Sequence, residues 1–477
     1  MKRNLLALLL FAKLVEAQTP PVAPEKTLVL THIAVIDATG SPAKPDMSVV
    51  IRDHKIVMIG ETGKLPVFDD AEVVEGTGKF LIPGLWDMHV HTGPREIYLP
   101  LYIANGITGV RDMGGDLEEP TGELSTRYVQ LRLWREEIEK GFLLGPRIVI
   151  AGFLIDGFKW TGNVAATNAF EGREAVTVLS AVGVDFIKVK SFLSRDAYFG
   201  IADEVQRRHI VLAGHVPDSV RVAEASDAGQ KSIEHLTGVS LGCSASEQHL
   251  MDEKAKAFSA RDRAAYELAE SRAEDTFDEN VAAQLFAKFV KNGTWQVPTL
   301  IELRNNARGK PPNMRDEVTV GTDPRWRYLP ETVRQRWNKE RDAHSSAAGE
   351  RSFANEMLLT KKMHEAGVRF MAGTDSASTF TLPGFALHEE LQLLVEAGFT
   401  PMEAIQAATL NPAKYLGREK ELGTIELGKL ADLVLLDANP LVDITNSQKI
   451  QGVVVNGRYL SREDLDSILS RAEAAAK

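Results

Sequence analysis

The stretch PGLWDMHVHTG, residues 83–93, sets Asp87, His89 and His91 at alternate positions of an otherwise apolar run. On a strand such positions share one face. A core excludes a face carrying a carboxylate and two imidazoles unless something binds there. The same residue types close other apolar or β-branched runs: His215 ends IVLAGH, His235 ends SIEH, Asp375 ends RFMAGTD, and Lys188 lies near the end of FIKVK. Four imidazoles and a carboxylate favour zinc or a similar borderline metal over calcium or magnesium, which prefer oxygen shells. One zinc ion rarely takes more than about four or five protein ligands, so the set points to two ions.

Lys188 is the unusual member. A protonated ammonium beside cations is disfavoured, and a buried lysine gives up its proton readily. The neutral amine can take up carbon dioxide to give a carbamate, whose two oxygens can bridge two metals. The plain alternative is a strand-end lysine reaching solvent. Lys190 shares the face of Phe186 and Lys188 and is the weaker candidate for the ligand.

These groups need elements that bring them together. Eight runs, residues 85–91, 108–113, 147–152, 186–190, 210–215, 232–235, 294–300 and 369–375, are mostly separated by helix-like stretches. Strands alternating with helices indicate parallel βα units within an α/β fold, and eight of them indicate a closed (β/α)8 barrel with its reactive groups at the C-terminal strand ends. His89, His91, Lys188, His215, His235 and Asp375 then meet at one rim. SRDAYFGIADEVQRRH, 194–209, is amphipathic at helical spacing, Gly229 ends a helix, and Thr400, Pro401 and Glu403 spell an N-cap with a capping box. Segments at both ends alternate β-formers with Gly and Asp turns, so residues 18–82 and 418–477 are expected to form one small β-sandwich domain into which the barrel, 83–417, is inserted. Two stretches exceed ordinary barrel loops, 241–292 and 302–366. Both read as helical excursions able to act as a lid.

The chain has 477 residues, 44% hydrophobic and 25% charged, with net charge −11. That balance is globular and argues against nucleic-acid or anionic-membrane partners, which call for basic patches. A small-molecule substrate fits better, and a homo-oligomer is compatible with the sequence. Lys2 and Arg3, an apolar run from Leu5 to Ala12, and small residues before Gln18 spell a secretory signal over 1–17, implying export to a periplasm or the medium. Cys243 is the only cysteine, so no internal disulfide forms.

Taken together, PGLWDMHVH, GITGVRDMGG, DFIKV, IEHLTG, AGTDS, TPMEAIQAATLNPAKYLG and GKLADLVLLDANPL resemble the amidohydrolase superfamily, more narrowly its imidazolonepropionase-like and prolidase-like binuclear metal hydrolases. The resemblance runs from about Leu28 to Gly457. AGHVPDS replaces the AHA type of sequence of many relatives, and the 241–292 insertion is a second departure. The resemblance implies that His89, His91 and Asp375 hold one Zn2+, that His215 and His235 hold the other, and that carbamylated Lys188 bridges them. A hydroxide between the ions would attack an amide carbonyl, with Asp375 taking the water's proton and passing it to the leaving nitrogen. The substrate class implied is a dipeptide-like or N-acyl amino acid amide. A mononuclear deaminase or cyclic-amide hydrolase with Lys188 idle, and a lactonase or phosphotriesterase on the same site, are the competing enzymes; a barrel kept only as a binding scaffold would have lost ligands.

Other residues carry weaker expectations. Asp87 either orients a ligand histidine or is a strand-start polar group; Arg111 and Asp112 form a structural ion pair or touch substrate; Pro298 and Thr299 reach the rim without obvious chemistry. His388 is expected to pack. Arg304, Arg308, Arg325 and Arg327 are candidates for gripping a substrate carboxylate, each with a surface role as the alternative.

Overall fold

The computed structural model describes residues 27–115, 126–160, 162–308, 324–340 and 347–477. The signal segment, 1–17, lies outside them. In chain order the N-terminal part gives strands β1 (Thr27–Val35), β2 (Lys44–Arg52), β3 (Lys55–Glu61), β4 (Glu72–Glu75) and β5 (Phe80–Pro83). The middle of the chain gives β6 (Leu85–Val90), β7 (Ile107–Asp112), β8 (Arg147–Ile150), β9 (Leu154–Asp156), β10 (Asn163–Ala165), β11 (Phe186–Val189), β12 (Val211–Gly214), β13 (Ser232–Glu234), β14 (Trp295–Val297) and β15 (Arg369–Phe370). The C-terminal part adds β16 (Leu433–Leu436), β17 (Ile450–Val455) and β18 (Arg458–Ser461).

The two chain ends meet in one eight-stranded sheet of order β18-β17-β16-β5-β1-β2-β3, with β4 on β1. Antiparallel pairing of Leu433 with Pro83 and Val434 with Ile82 joins them. Alternation makes this sheet two-sided: Leu28, Leu30, Ile33, Leu433 and Leu435 bury one face together. The last helix, Arg462–Ala475, leaves the sheet. Its Leu465, Ile468 and Ala472 share a core with Ile97 and Leu101 of helix Arg95–Ala104, so the C-terminal segment also braces the parallel part of the fold.

All eight apolar runs are strands, and all pair in parallel, as βα units require. They form a three-stranded sheet, β6-β7-β8, and a seven-stranded one, β10-β9-β11-β12-β13-β14-β15. The short β9 and β10 are additions that the sequence pattern does not announce. Hydrogen bonds cross between the sheets at both ends: Met88 N donates to Ala372 O, Val90 bridges Ser376, and Asp185 N donates to Ile150 O. The amphipathic stretch 194–209 is helical, capped by Ser194 over Arg195–Arg208, and Thr400 forms the expected capping box with Glu403. The long insertions are helical where described: Glu247–Ala260, Arg263–Asp275 and Glu279–Asn292 in the first, Glu331–Glu340 and Ala347–Glu365 in the second. Among the described residues no helix is long and apolar enough to cross a membrane.

Candidate metal centre

Every residue of β6 is buried, including Asp87 and His89 at 0% exposure. A strand tolerates that only if each polar atom has a partner. The Nδ1 of His89 lies 2.9 Å from Glu234 Oε2, and that of His91 lies 2.5 Å from Gly114 O. Ser191 Oγ is 2.7 Å from His215 Nδ1, and Thr299 Oγ1 is 2.7 Å from His235 Nδ1. All four imidazoles therefore commit the same nitrogen to a partner behind them. A carbonyl or carboxylate partner can only accept, so Nδ1 of His89 and His91 carries the proton and Nε2 is a bare lone pair.

Those lone pairs face each other. His89 Nε2 and His91 Nε2 each lie 3.1 Å from Asp375 Oδ1. The rings of His89 and His235 are 4.5 Å apart, and those of His215 and His235 4.9 Å. His89 Nε2, His215 Nε2 and Asp375 Oδ1 are buried with no hydrogen-bond partner. An unsatisfied buried polar atom costs about 1–3 kcal/mol, so each of the three calls for a partner that the chain itself does not supply. His89, His235 and Asp375 each offer a donor atom, all within 4.8 Å of one another, and together could hold a metal ion.

Charge supports the same occupant. Burial pushes the His91 imidazole below its ordinary value, and those of His215 and His235 well below it, leaving these rings neutral as metal ligands must be. Lys188, only 1% exposed, is lowered by burial to about 7. Among the described residues its amine makes no hydrogen bond or ion pair. Gly214 keeps the neighbouring strand close: a Cβ there would stand 2.2 Å from Val189 O and 3.1 Å from Lys188 Cδ. Gly373 does the same beside His89, where a Cβ would meet the His89 nitrogen at 2.9 Å.

Several expectations need correcting. Arg111 and Asp112 do not pair, because adjacent strand residues point to opposite sides. Arg111 instead donates to both Glu234 oxygens at 2.9 Å and to Met88 O at 2.6 Å, while Asp112 accepts from Thr92 N, Gly114 N and Arg127. Asp87 touches no imidazole: it accepts from Thr374 N, Thr374 Oγ1 and the backbone N of His89, stapling β6 to the segment that carries Asp375. Arg304 and Arg325 both grip Glu389, and Arg327 faces Glu473, so none of the three is free for substrate. The Arg308 side chain lies outside the described residues. His388 packs as expected, bonded to Ser447 and Asn105 O.

Glu234, Ser191 and the role of Thr299 do not stand out in the sequence. Glu234 is hidden because alternation would send Glu234 and His235 to opposite faces. His235 escapes that rule by taking a left-handed backbone, φ +57°, and Thr299 (φ +50°) and Asp375 (φ +57°) do likewise. Non-glycine residues held in that region cost about 1–3 kcal/mol and cluster at functional sites.

A cavity of about 640 Å3 opens onto His215, His235 and Asp375, walled by Glu302, Glu356 and residues of both insertions. A larger one, about 860 Å3, opens instead where the strands begin, beside Val211, Lys231 and Trp295, so the donors and not the volume mark the site. Helix Leu300–Arg308, which brings Glu302 to the wall, is held by buried Glu390, whose Oε2 accepts from Ile301 N at 2.8 Å. Burial pushes the Glu390 carboxyl up to about 8. A raised carboxyl takes up a proton on folding, so its contribution to stability is fully present at pH below about 4.5 and falls as pH rises towards 8. Between pH 5 and 8, wild type should therefore lose on the order of 2 kcal/mol relative to Glu390→Gln, read by urea denaturation. Parallel pH profiles for the two proteins would refute this.

Residues 80–460 match the amidohydrolase family. Ochratoxinase of Aspergillus niger is 24% identical over 485 residues, 90% of this chain and 85% of its own. Among solved structures, a bottromycin amidohydrolase superposes with a TM-score of 0.68 at 20% identity, over 94% of this chain and 90% of that one. A Xaa-Pro dipeptidase with bound methionine in its active site superposes with a TM-score of 0.63 at 21% identity, over 91% and 100%. These structures share the fold, and the family match runs from β5 into β18 and takes in every residue of the donor cluster. The chain belongs to the amidohydrolase family and is a hydrolase.

Proposed function

We propose that the protein is a binuclear zinc hydrolase that cleaves the C–N amide bond of a dipeptide-like or N-acyl amino acid substrate. The observation that carries this reading is the set of four imidazoles, each tied at Nδ1, turned with Asp375 towards one space that leaves three buried donor atoms unpaired. His89, His91 and Asp375 would hold one ion, His215 and His235 the other, with Lys188 bridging as a carbamate formed when its neutral amine adds to carbon dioxide and releases a proton. Such ions, when bound, lower the pKa of water to about 7 and polarise a carbonyl. Asp375 moves the proton: its Oδ2 is held by Ser378 Oγ at 2.5 Å while Oδ1 faces the imidazoles, a placement suited to taking a proton from water and giving it to the leaving nitrogen. We read the two parallel sheets as arcs of one (β/α)8 barrel, which the hydrogen bonds from Met88 and Asp185 across their edges support.

A second reading has its own support. His89, His235 and Asp375 alone fit one ion, as a mononuclear deaminase or cyclic-amide hydrolase would use them. Metal counting separates the two. Zinc-loaded protein should hold about two ions per chain, and chelation should cut hydrolysis of a dipeptide and N-acyl amino acid panel at least about a hundredfold, with zinc restoring it. One tight ion per chain with full activity would favour the second reading; full activity after metal removal would end both.

A further inference from the structure

We propose that Lys190 anchors a carboxylate of the substrate, carried on the carbon next to the scissile nitrogen. The proposal rests on the amide-hydrolase reading and narrows it to substrates that release a free α-amino acid, excluding cyclic amides and amides of neutral amines.

The argument starts from strand geometry. Lys188 and Lys190 share a face, and two residues correspond to about 6.6 Å along a strand, so Lys190 stands one repeat further towards the rim than the lysine of the donor cluster. It lines the same cavity as His215, His235 and Asp375.

Three other cations line that cavity, and each is already paired. Arg221 donates to Gln248 Oε1 at 2.6 Å and lies 3.6 Å from Glu247; Lys254 is 3.1 Å from Asp218 and 3.5 Å from Glu270; Arg263 is 2.7 Å from Glu267. Lys190, partly buried, makes no hydrogen bond or ion pair among the described residues. Arg304, Arg325 and Arg327, which could have taken a carboxylate, are held by Glu389 and Glu473. Of the carboxyls that line the rest of the cavity, Glu270 faces Lys254, and burial raises those of Glu274, Glu302 and Glu356, that of Glu302 to about 8. Among the described residues lining the cavity, Lys190 is thus the one lysine or arginine without a hydrogen bond or ion pair for an anionic substrate group to meet, and it lies close enough to His215 for its charge to act on that ring.

The test uses a pair of non-hydrolysable ligands that differ only in the carboxylate, L-phenylalanine and 2-phenylethylamine, titrated calorimetrically into the zinc-loaded full chain. Wild type should bind L-phenylalanine at least about tenfold more tightly than the amine, Lys190→Met should erase that preference, and Lys190→Arg should keep most of it. With N-acetyl-L-phenylalanine as substrate, Lys190→Met should raise KM about tenfold or more while kcat stays within about threefold. Absence of a carboxylate preference in wild type, or the same preference in Lys190→Met, which would place the carboxylate on the ions, overturns the proposal. A carboxylate preference without any amide hydrolysis would instead sink the amide-hydrolase reading and leave the role of Lys190 standing.

Discussion

Lys188→Ala is expected to lose both ions and to lower amide hydrolysis by about a thousandfold or more, with the fold retained. Lys188 is 1% exposed on β11, and burial brings its amine to about 7, so a large share of it is neutral at physiological pH. A neutral, unpartnered amine in a polar centre is a nucleophile with no structural task. In the binuclear reading proposed above, addition to carbon dioxide would convert it into an anion that offsets the charge of two cations. Alanine removes that anion and leaves space where it stood, which a short carboxylic acid such as acetate or propionate can enter. Partial recovery of metal content and rate by millimolar propionate is therefore part of the expected result, measured by elemental analysis alongside initial rates. If Lys188 were instead an idle strand lysine, as the mononuclear reading requires, the alanine protein would keep its ion and its activity. That outcome, with the donor histidines intact, would refute the bridging role.

What the sequence shows of this architecture and what it hides have different physical origins. The eight parallel strands are legible because a strand buried on both faces must be a short apolar run, and because each polar residue that breaks such a run has to be explained. His89, His91, His215, His235, Lys188 and Asp375 stand out on that account, and the structure brings them to one place. Their supporting groups are not legible. Ser191 and Thr299 are ordinary hydroxyl residues until the fold puts His215 and His235 beside them, and Glu234 hides behind an alternation rule that the left-handed backbone of His235 suspends. The pairing of Arg111 with Glu234 spans 123 residues and is a property of strand order alone. Arg304 and Arg325 illustrate the converse: their residue type suggests a carboxylate site, and the carboxylate turns out to be Glu389 of the same chain.

Glu234→Gln should destabilise the protein by about 3–5 kcal/mol and weaken metal binding by about ten- to a hundredfold, because one carboxylate serves two masters. Its oxygens neutralise Arg111, which is 0% exposed, and orient the ring of His89. The glutamine amide can still accept from His89 Nδ1, but it leaves the guanidinium buried without a counter-charge, and it makes His89 a poorer electron donor at Nε2. The sign with pH follows. Burial alone would raise the Glu234 carboxyl, yet Arg111 and His89 hold it below its ordinary value, so its stabilisation is present above the unfolded carboxyl pKa and is lost as pH falls below it. Wild type should therefore show a steeper loss of stability on acidification than Glu234→Gln. Restoring neutrality tests the cause: in the double variant Glu234→Leu with Arg111→Met, the cost to folding should fall well below the sum of the single costs, as it does when a buried pair is replaced whole, while metal affinity stays low because nothing then orients His89. Additive costs in that double variant, or a single glutamine variant within about 1 kcal/mol of wild type, would show that the Arg111, Glu234 and His89 chain does not govern the centre.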